Sequence, residues 1–400
     1  MQSYLEVFID NLKVGEITLL ANERNLFVFE DDYLAMEDKP ILSQSFFDKS
    51  GEIIAQTKIV QTKLPPFFSN LLPEGHLRQY LAQQGGINQQ SEFKLIELLG
   101  EDLPGNVVVK SGNTVDSEVK RESKNLNQDD QIYRFSLAGI QLKFSAIIES
   151  SGGLTIPTSG LGGDWIVKLP AQNFVSVPEN EFSMLQLAKE IGISTPEIDL
   201  IDLDKVSGLP ELGILGGDKA LAVKRFDREN GKRIHIEDFA QVYSVFPKDK
   251  YDKVNYGNIA NMVWILTGQD GLVDFIRRLV FNIMIGNGDM HLKNWSFIYP
   301  DGKTPQLAPA YDFVSTIVYI PNDKLALNLA GEKDMYKISL SSFSKLAKKA
   351  QLPEYLVVNT AKETATSVLE VWNKNKYNYP LSDSIITGID QHISKLKLFE

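Results

Sequence analysis

Apolar and polar positions alternate at the start of the chain. Tyr4-Leu5-Glu6-Val7-Phe8-Ile9, Glu16-Ile17-Thr18-Leu19-Leu20 and Leu26-Phe27-Val28-Phe29 read as strands, with a turn at Asp10-Asn11 and Gly15 beyond it. The period of two predicts a small antiparallel meander. A helical part follows, with Leu64-Pro65-Pro66-Phe67-Phe68 leading into Leu71-Leu72-Pro73-Glu74-Gly75 and then His76 to Gln83. Residues 111–131 are polar and almost free of apolar side chains, which predicts a linker. Strand patterns return at Ala146-Ile147-Ile148, at Asp164-Trp165-Ile166-Val167-Lys168 and at Ala220-Leu221-Ala222-Val223-Lys224. One helix interrupts them: Phe182, Leu185, Ala188 and Ile191 recur at helical spacing and Gly192 follows as a stop. From about residue 235 the pattern is mostly helical, including Leu272 to Ile285 and Val357 to Trp372. No internal repeat is visible. The order predicts an α+β protein with two lobes and a cleft between them, a usual place for a ligand. The expected divisions are 1–110, 111–131, 132–226 and 227–400.

Composition narrows the function classes. The net charge of −11 argues against a general binder of nucleic-acid backbones, which needs clustered Lys and Arg. The chain has no cysteine, so thiol nucleophiles, disulfides and Cys-ligated zinc are excluded. The four histidines, His76, His235, His291 and His392, include no pair at metal-ligand spacing. The N-terminus lacks a basic region followed by an apolar run, and no apolar run approaches the ~20 residues needed to span a bilayer. A soluble cytoplasmic protein without membrane contact is the expectation.

The strongest chemical signal is Gly286-Asn287-Gly288-Asp289-Met290-His291-Leu292-Lys293-Asn294-Trp295. Its Asp289-x-x-x-x-Asn294 interval equals that of the protein-kinase catalytic loop. There an Asp accepts the proton of an attacking hydroxyl, and an Asn carbonyl oxygen can ligate Mg²⁺, a hard cation that prefers oxygen. Alone, the interval also describes an Asx-rich turn leaving a helix. Ala310-Tyr311-Asp312-Phe313 tips the balance, since an Asp at this distance occupies the place of the kinase metal-binding Asp. Lys168 ends a strand that alternation places with Ile166 on one face, where it could meet nucleotide phosphates, with Glu181 as its helix partner. Ser136, Ala138, Gly139, Gln141 and Lys143 lie in a segment whose small residues would let backbone N–H groups approach phosphates. Lys224 and Phe226 fall where the strand-rich part passes into the helical part, the position of an adenine-binding hinge. His291 is expected to orient Asp289 or a phosphate.

In this order the motifs resemble the HipA-like serine/threonine kinases, the toxin members of bacterial toxin–antitoxin pairs. The resemblance runs from about residue 1 to about residue 320. It is carried by Phe67-Phe68-Ser69-Asn70-Leu71-Leu72-Pro73-Glu74-Gly75, Pro104-Gly105, Ser136-Leu137-Ala138-Gly139-Ile140-Gln141-Leu142-Lys143, Ile166-Val167-Lys168-Leu169-Pro170, Glu179-Asn180-Glu181, Leu221-Ala222-Val223-Lys224-Arg225-Phe226-Asp227-Arg228, His235-Ile236-Glu237-Asp238-Phe239-Ala240-Gln241, Gly288-Asp289-Met290-His291-Leu292-Lys293-Asn294-Trp295-Ser296 and Pro309-Ala310-Tyr311-Asp312. It implies a two-lobed protein-kinase-like fold with an extra N-terminal β-rich subdomain and a mostly helical C-terminal lobe. It implies ATP and Mg²⁺, with Asp289 as base, Asn294 and Asp312 as metal ligands, and Lys168 on the phosphates. Ser136 matches the serine that members autophosphorylate to silence themselves. The implied partner is a small helix-turn-helix, HipB-like antitoxin, through which DNA would be met only indirectly. Known members phosphorylate aminoacyl-tRNA synthetases, so that class is the expected protein substrate. Two departures bear on the target: the stretch between Lys168 and Glu181 is short, and Ile140 and Leu142 replace smaller or charged residues. Two rivals stay open here, a kinase-fold corepressor or scaffold and a small-molecule kinase.

Overall fold

The computed structural model describes residues 3–112, 143–148, 154–155, 163–209 and 215–399. The chain opens with a five-stranded antiparallel sheet of order β4-β3-β2-β1-β5, made of β1 (Tyr4–Ile9), β2 (Leu12–Leu20), β3 (Arg24–Phe29), β4 (Val60–Gln61) and β5 (Val107–Ser111). In β1, Leu5, Val7 and Ile9 are buried and their neighbours face outward, the two-residue period expected of a half-buried strand. The core beneath also takes side chains from α1 (Asp31–Ala35), α2 (Pro66–Leu71), α3 (Gly75–Gln84) and α4 (Glu92–Leu99). β5 pairs with β1 and includes Ser111, so the polar stretch expected from residue 111 begins one residue into a strand's end. The remainder of that stretch, from residue 113, lies outside the described residues.

A second sheet has the order β10-β7-β6-β8-β11-β9. Its strands are β6 (Lys143–Ile148), β7 (Leu154–Thr155), β8 (Trp165–Lys168), β9 (Ile198–Asp202), β10 (Val206–Ser207) and β11 (Lys219–Lys224). Helix α5 (Val177–Glu190) packs on β9 and β11, and the chain leaves it through Gly192 as the sequence predicts.

The remainder is helical around a short sheet. After the hairpin of β12 (Arg228–Glu229) and β13 (Lys232–Arg233) come β14 (His235–Asp238) and α6 (Phe239–Val242). Then follow α7 (Tyr256–Ile285), β15 (Ser296–Tyr299), β16 (Gln306–Leu307), α8 (Leu340–Ala350), α9 (Glu354–Asn375) and α10 (Asp383–Ile393). Strand β14 pairs with β15, although the pattern from residue 235 reads as helical. Its inward-facing residues are His235 and Glu237, so the two-residue period is carried by polar side chains and hydrophobic periodicity does not register it. No helix among the described residues is long and apolar enough to cross a membrane.

One buried contact that fastens the N-terminal sheet domain to the rest is centred on Asp227. Asp227 accepts from Arg225 Nη2 at 2.8 Å, Arg228 Nη1 at 2.8 Å and the Gly105 N–H at 2.8 Å. Asp102 of the N-terminal domain answers Arg228 at 3.1 Å and Arg233 at 3.0 Å. Gly105 has φ +73, and a Cβ there would stand 2.9 Å from the Ile236 nitrogen, so the approach requires glycine.

Candidate active site

Helix α7 ends at Gly286 in the left-handed conformation, φ +69, which turns the chain sharply into the loop of Asp289. Asn287 fixes that turn. Its Nδ2 donates to Asn282 Oδ1 at 2.8 Å and to the Asp312 carbonyl at 3.3 Å, while its Oδ1 accepts from Asp289 N at 3.0 Å. One side chain thus links the helix end, the Asp289 loop and the Asp312 segment.

The Asp289 carboxylate accepts a 2.6 Å hydrogen bond from the hydroxyl of Tyr251. The Tyr251 pKa is raised by partial burial and by Asp289, so the hydroxyl stays protonated and acts as a donor. His291 sits beside them. Its backbone N–H donates to the Asp289 carbonyl at 2.8 Å, and its ring lies edge-on to Tyr251 at 5.0 Å. Burial, then the nearby Lys250 ammonium, pulls its pKa down to about 3, so the imidazole is neutral. The sequence led to the expectation that His291 orients Asp289 or a phosphate; in this structure a hydroxyl, that of Tyr251, also meets the Asp289 carboxylate.

Asn294 is buried, and its Nδ2 donates to the Asp289 carbonyl at 2.9 Å. That bond commits the amide nitrogen, so the side-chain oxygen is the atom left for a cation. Asp312 adopts a left-handed backbone, φ +56, a strained state for a non-glycine residue that here aims its carboxylate at Lys168. Lys168, at the end of β8, contacts both Asp312 and Glu181 of α5. Burial alone would lower the lysine pKa, but the carboxylates of Asp312 and Glu181 outweigh it and hold the ammonium charged.

Asn294 and Asp312 together offer two oxygen ligands, and among the described residues no group of three or more His, Cys, Asp or Glu side chains could hold a metal ion. Such a sparse oxygen set fits Mg²⁺, which keeps several waters and binds through one or two carboxylates plus substrate phosphates.

Lys168 and Asp312 line a cavity of about 450 Å³, which the Asp289–Asn294 loop reaches through Lys293. Ile166, Lys168, Val223, Lys224 and Phe226 form its sheet side, and Lys293, Tyr311 and Asp312 its helical side. The Phe226 and Tyr311 rings lie 5.7 Å apart. The Lys224 ammonium is drawn outward to Glu197 at 2.9 Å. A third wall was not foreseen: Leu71, Leu77, Leu81, Leu99, Leu103 and Pro104 come from the N-terminal domain. Lys143 opens β6 in register with Lys168. Ser136, Ala138, Gly139 and Gln141 lie outside the described residues. Tyr251, Asn287 and Glu74 also escaped the sequence reading as site residues. A turn-forming tyrosine and a carboxylate some two hundred residues from the loop it touches leave no local signal.

The architecture is that of a two-lobed, kinase-like α+β protein with an added N-terminal sheet domain. The model of the HipA N-terminal domain matches residues 5–110 and that of the HipA-like C-terminal domain matches residues 135–372, and the chain belongs to this HipA-like kinase family. It is 47% identical over 399 residues to a Sinorhizobium fredii protein whose name is "Putative kinase Y4dM", covering 99% of this chain and 97% of that one. It is 26% identical over 381 residues to the serine/threonine-protein kinase toxin HipA of Shewanella oneidensis, covering 85% of this chain and 82% of that one. Among solved structures, HipA in the Shewanella oneidensis MR-1 complex of HipA, HipB and operator DNA superposes with a TM-score of 0.74 at 21% identity, covering 98% of this chain and 95% of that chain. That likeness shows the fold. Membership of a kinase family implies ATP as the phosphoryl donor.

Proposed function

We propose that this protein transfers the γ-phosphoryl group of ATP to a serine or threonine hydroxyl of a protein substrate. The observation that carries the reading is the position of Lys168, held between Glu181 and Asp312 in a cleft that Lys293 of the Asp289–Asn294 loop also lines. In the reaction the acceptor oxygen attacks the γ-phosphorus and its proton passes to Asp289. The bond to the β–γ bridging oxygen breaks, and ADP leaves with the electron pair. Lys168 offsets charge on the phosphates, with Glu181 fixing its direction. Asn294 and Asp312 would hold Mg²⁺, which when bound neutralises the charge that develops on the phosphates. Lys224 and Phe226 border the adenine end. The same reading keeps residues 1–110, 132–226 and 227–400 as N-terminal domain, sheet-rich lobe and helical lobe.

Autophosphorylation at Ser136 as self-inactivation belongs to this proposal. A phosphate adds roughly −1.5 to −2 charge, which is incompatible with a place beside ATP phosphates. A HipB-like helix-turn-helix antitoxin is the proposed partner, and the related complex with HipB and operator DNA supports it. An aminoacyl-tRNA synthetase is the proposed class of target.

The test incubates pure protein with labelled ATP and Mg²⁺ beside Asp289→Ala. The expected result is phosphate incorporation by the wild type alone, mapped by mass spectrometry to Ser136. Equal incorporation by both proteins removes the assignment of the base.

A further inference from the structure

The N-terminal domain carries a carboxylate into the catalytic loop. Glu74 stands immediately before α3, and its two oxygens serve two lysines. Oε2 lies 3.1 Å from Lys250 Nζ, and Oε1 lies 3.0 Å from Lys293 Nζ. Each lysine is the neighbour in sequence of a residue that bears on Asp289. Lys250 precedes Tyr251, whose hydroxyl donates to Asp289 Oδ1 at 2.6 Å. Lys293 precedes Asn294, whose amide donates to the Asp289 carbonyl at 2.9 Å.

The segment around Lys250 is also tied to the loop through backbone. The Lys250 carbonyl accepts from Leu292 N at 3.3 Å, and the Tyr251 ring rests against His291. Lys293 is anchored further by the Asn70 carbonyl, 3.0 Å away in α2 of the N-terminal domain. Burial works to raise the Glu74 pKa, but Lys293 and Lys250 hold it below the usual carboxylate value, so it is charged in the working range. Without it, two ammonium groups would face each other beside the catalytic loop.

We propose that Tyr251 is a positioning residue for Asp289, and that Glu74 of the N-terminal domain, acting through Lys250, fixes where Tyr251 stands. The N-terminal domain is then part of the catalytic apparatus. The physical basis is orientation. A carboxylate on two rotatable bonds must meet the acceptor hydroxyl in a narrow geometry, and misplacement by about an ångström can lose two orders of magnitude in rate. A short bond from a neutral phenol fixes one oxygen of the carboxylate and leaves its charge in place. This inference rests on the phosphotransfer reading given above.

The experiment measures phosphorylation and ATP turnover by the full-length chain, with Asp289→Ala as the silent control. Tyr251→Phe is expected to lower kcat roughly tenfold while KM for ATP and the ATP-induced rise in Tm stay at the wild-type values. Glu74→Gln and Lys250→Gln are expected to lower kcat in the same way. The double variant Glu74→Gln with Tyr251→Phe should lose no more than Tyr251→Phe alone, since both act on one element. An unchanged kcat in Tyr251→Phe overturns the proposal. So does a raised kcat, which would make the tyrosine a plug occupying the acceptor's place, and so does strict additivity in the double variant. A wild type that transfers while Asp289→Ala does not keeps the kinase reading intact under all three results. A wild type that transfers nothing overturns that reading and the proposal with it. Tyr251→His, which keeps a ring and a donor, serves if Tyr251→Phe fails to fold, and is expected to retain more of kcat than Tyr251→Ala.

Discussion

Lys168 and Asp312 form an ion pair across the cleft, the lysine at the end of β8 and the aspartate beyond β16, so the contact joins the sheet-rich lobe to the helical one. The same ammonium also touches Glu181, which is almost fully buried. Removing the lysine leaves a buried carboxylate with its main counter-charge gone, and breaking a buried pair in this way costs about 3–5 kcal/mol. Lys168→Met is therefore expected to lose phosphotransfer and also that much stability, read from urea unfolding. Adding Glu181→Leu should restore much of the stability and none of the activity. Stability restored together with activity would mean that Lys168 has no chemical role.

Asn294 and Asp312 are expected to act through a divalent cation. Asn294→Ala and Asp312→Asn should each reduce the thermal stabilisation given by ATP with Mg²⁺. With ATP and a chelator in place of Mg²⁺, they should match the wild type. A deficit that persists without the cation would mean that these side chains touch the nucleotide itself. Asp312→Asn also removes one of the two carboxylates that hold Lys168, so Asn294→Ala is the cleaner arm.

Where hydrophobic residues carried the period, the chain's elements were legible. Leu5, Val7 and Ile9 announced β1, and Leu185 with Ala188 and Ile191 announced α5. Asp289 and Asn294 were singled out by their interval in one loop, and Asp312 by its place beyond β16, because the kinase pattern sets these residue types at these spacings. Other features had no local trace. β14 hides its period in His235 and Glu237. Tyr251 and Glu74 reach the loop from two separate segments, one of them in a different domain. Their meaning arises only when the N-terminal sheet domain docks.

That docking rests on Asp227, which is buried and binds two guanidinium groups and the Gly105 N–H. Burial raises its pKa, but Arg225 and Arg228 outweigh that and hold it below the usual aspartate value. A depressed folded pKa contributes stability that is present above the unfolded value and is lost as pH falls through the folded one. Asp227→Asn is expected to destabilise the protein by about 3 kcal/mol near neutral pH, because Arg225 and Arg228 lose a buried counter-charge. The gap between variant and wild type should narrow as the solution is acidified through the carboxylate range. Limited proteolysis should also open the junction between the N-terminal domain and the remainder in the variant first. A gap that is constant with pH would mean that the carboxylate's charge is not what fastens the domain.

A second contact between the same two parts should respond to pH in the opposite sense. Glu237, fully buried in β14, accepts from the Ser43 hydroxyl at 2.5 Å, the Gln44 N–H at 3.1 Å and the Tyr299 hydroxyl at 2.5 Å. Burial pushes its pKa up to about 7 from 4.5, against the pull of those donors. Below the unfolded value both states are protonated and the contribution is whole. As pH rises, the unfolded chain releases the proton first, so stability falls and the loss is complete above about 7. Its neighbour His235, buried against the Leu42 carbonyl, is pulled down to about 4 from 6.5 and works the other way, adding stability as pH rises between those values. The two oppose each other at mildly acid pH, and Glu237 alone acts toward neutrality. Glu237→Gln removes one of the two and leaves His235 in place. Its Tm relative to wild type is therefore expected to climb as pH is raised from about 5 to about 8, the sign that linkage requires for a raised carboxyl pKa. A difference in Tm that is flat over this range would mean that Glu237 is already ionised in the folded protein at acid pH, its three donors having overcome the burial.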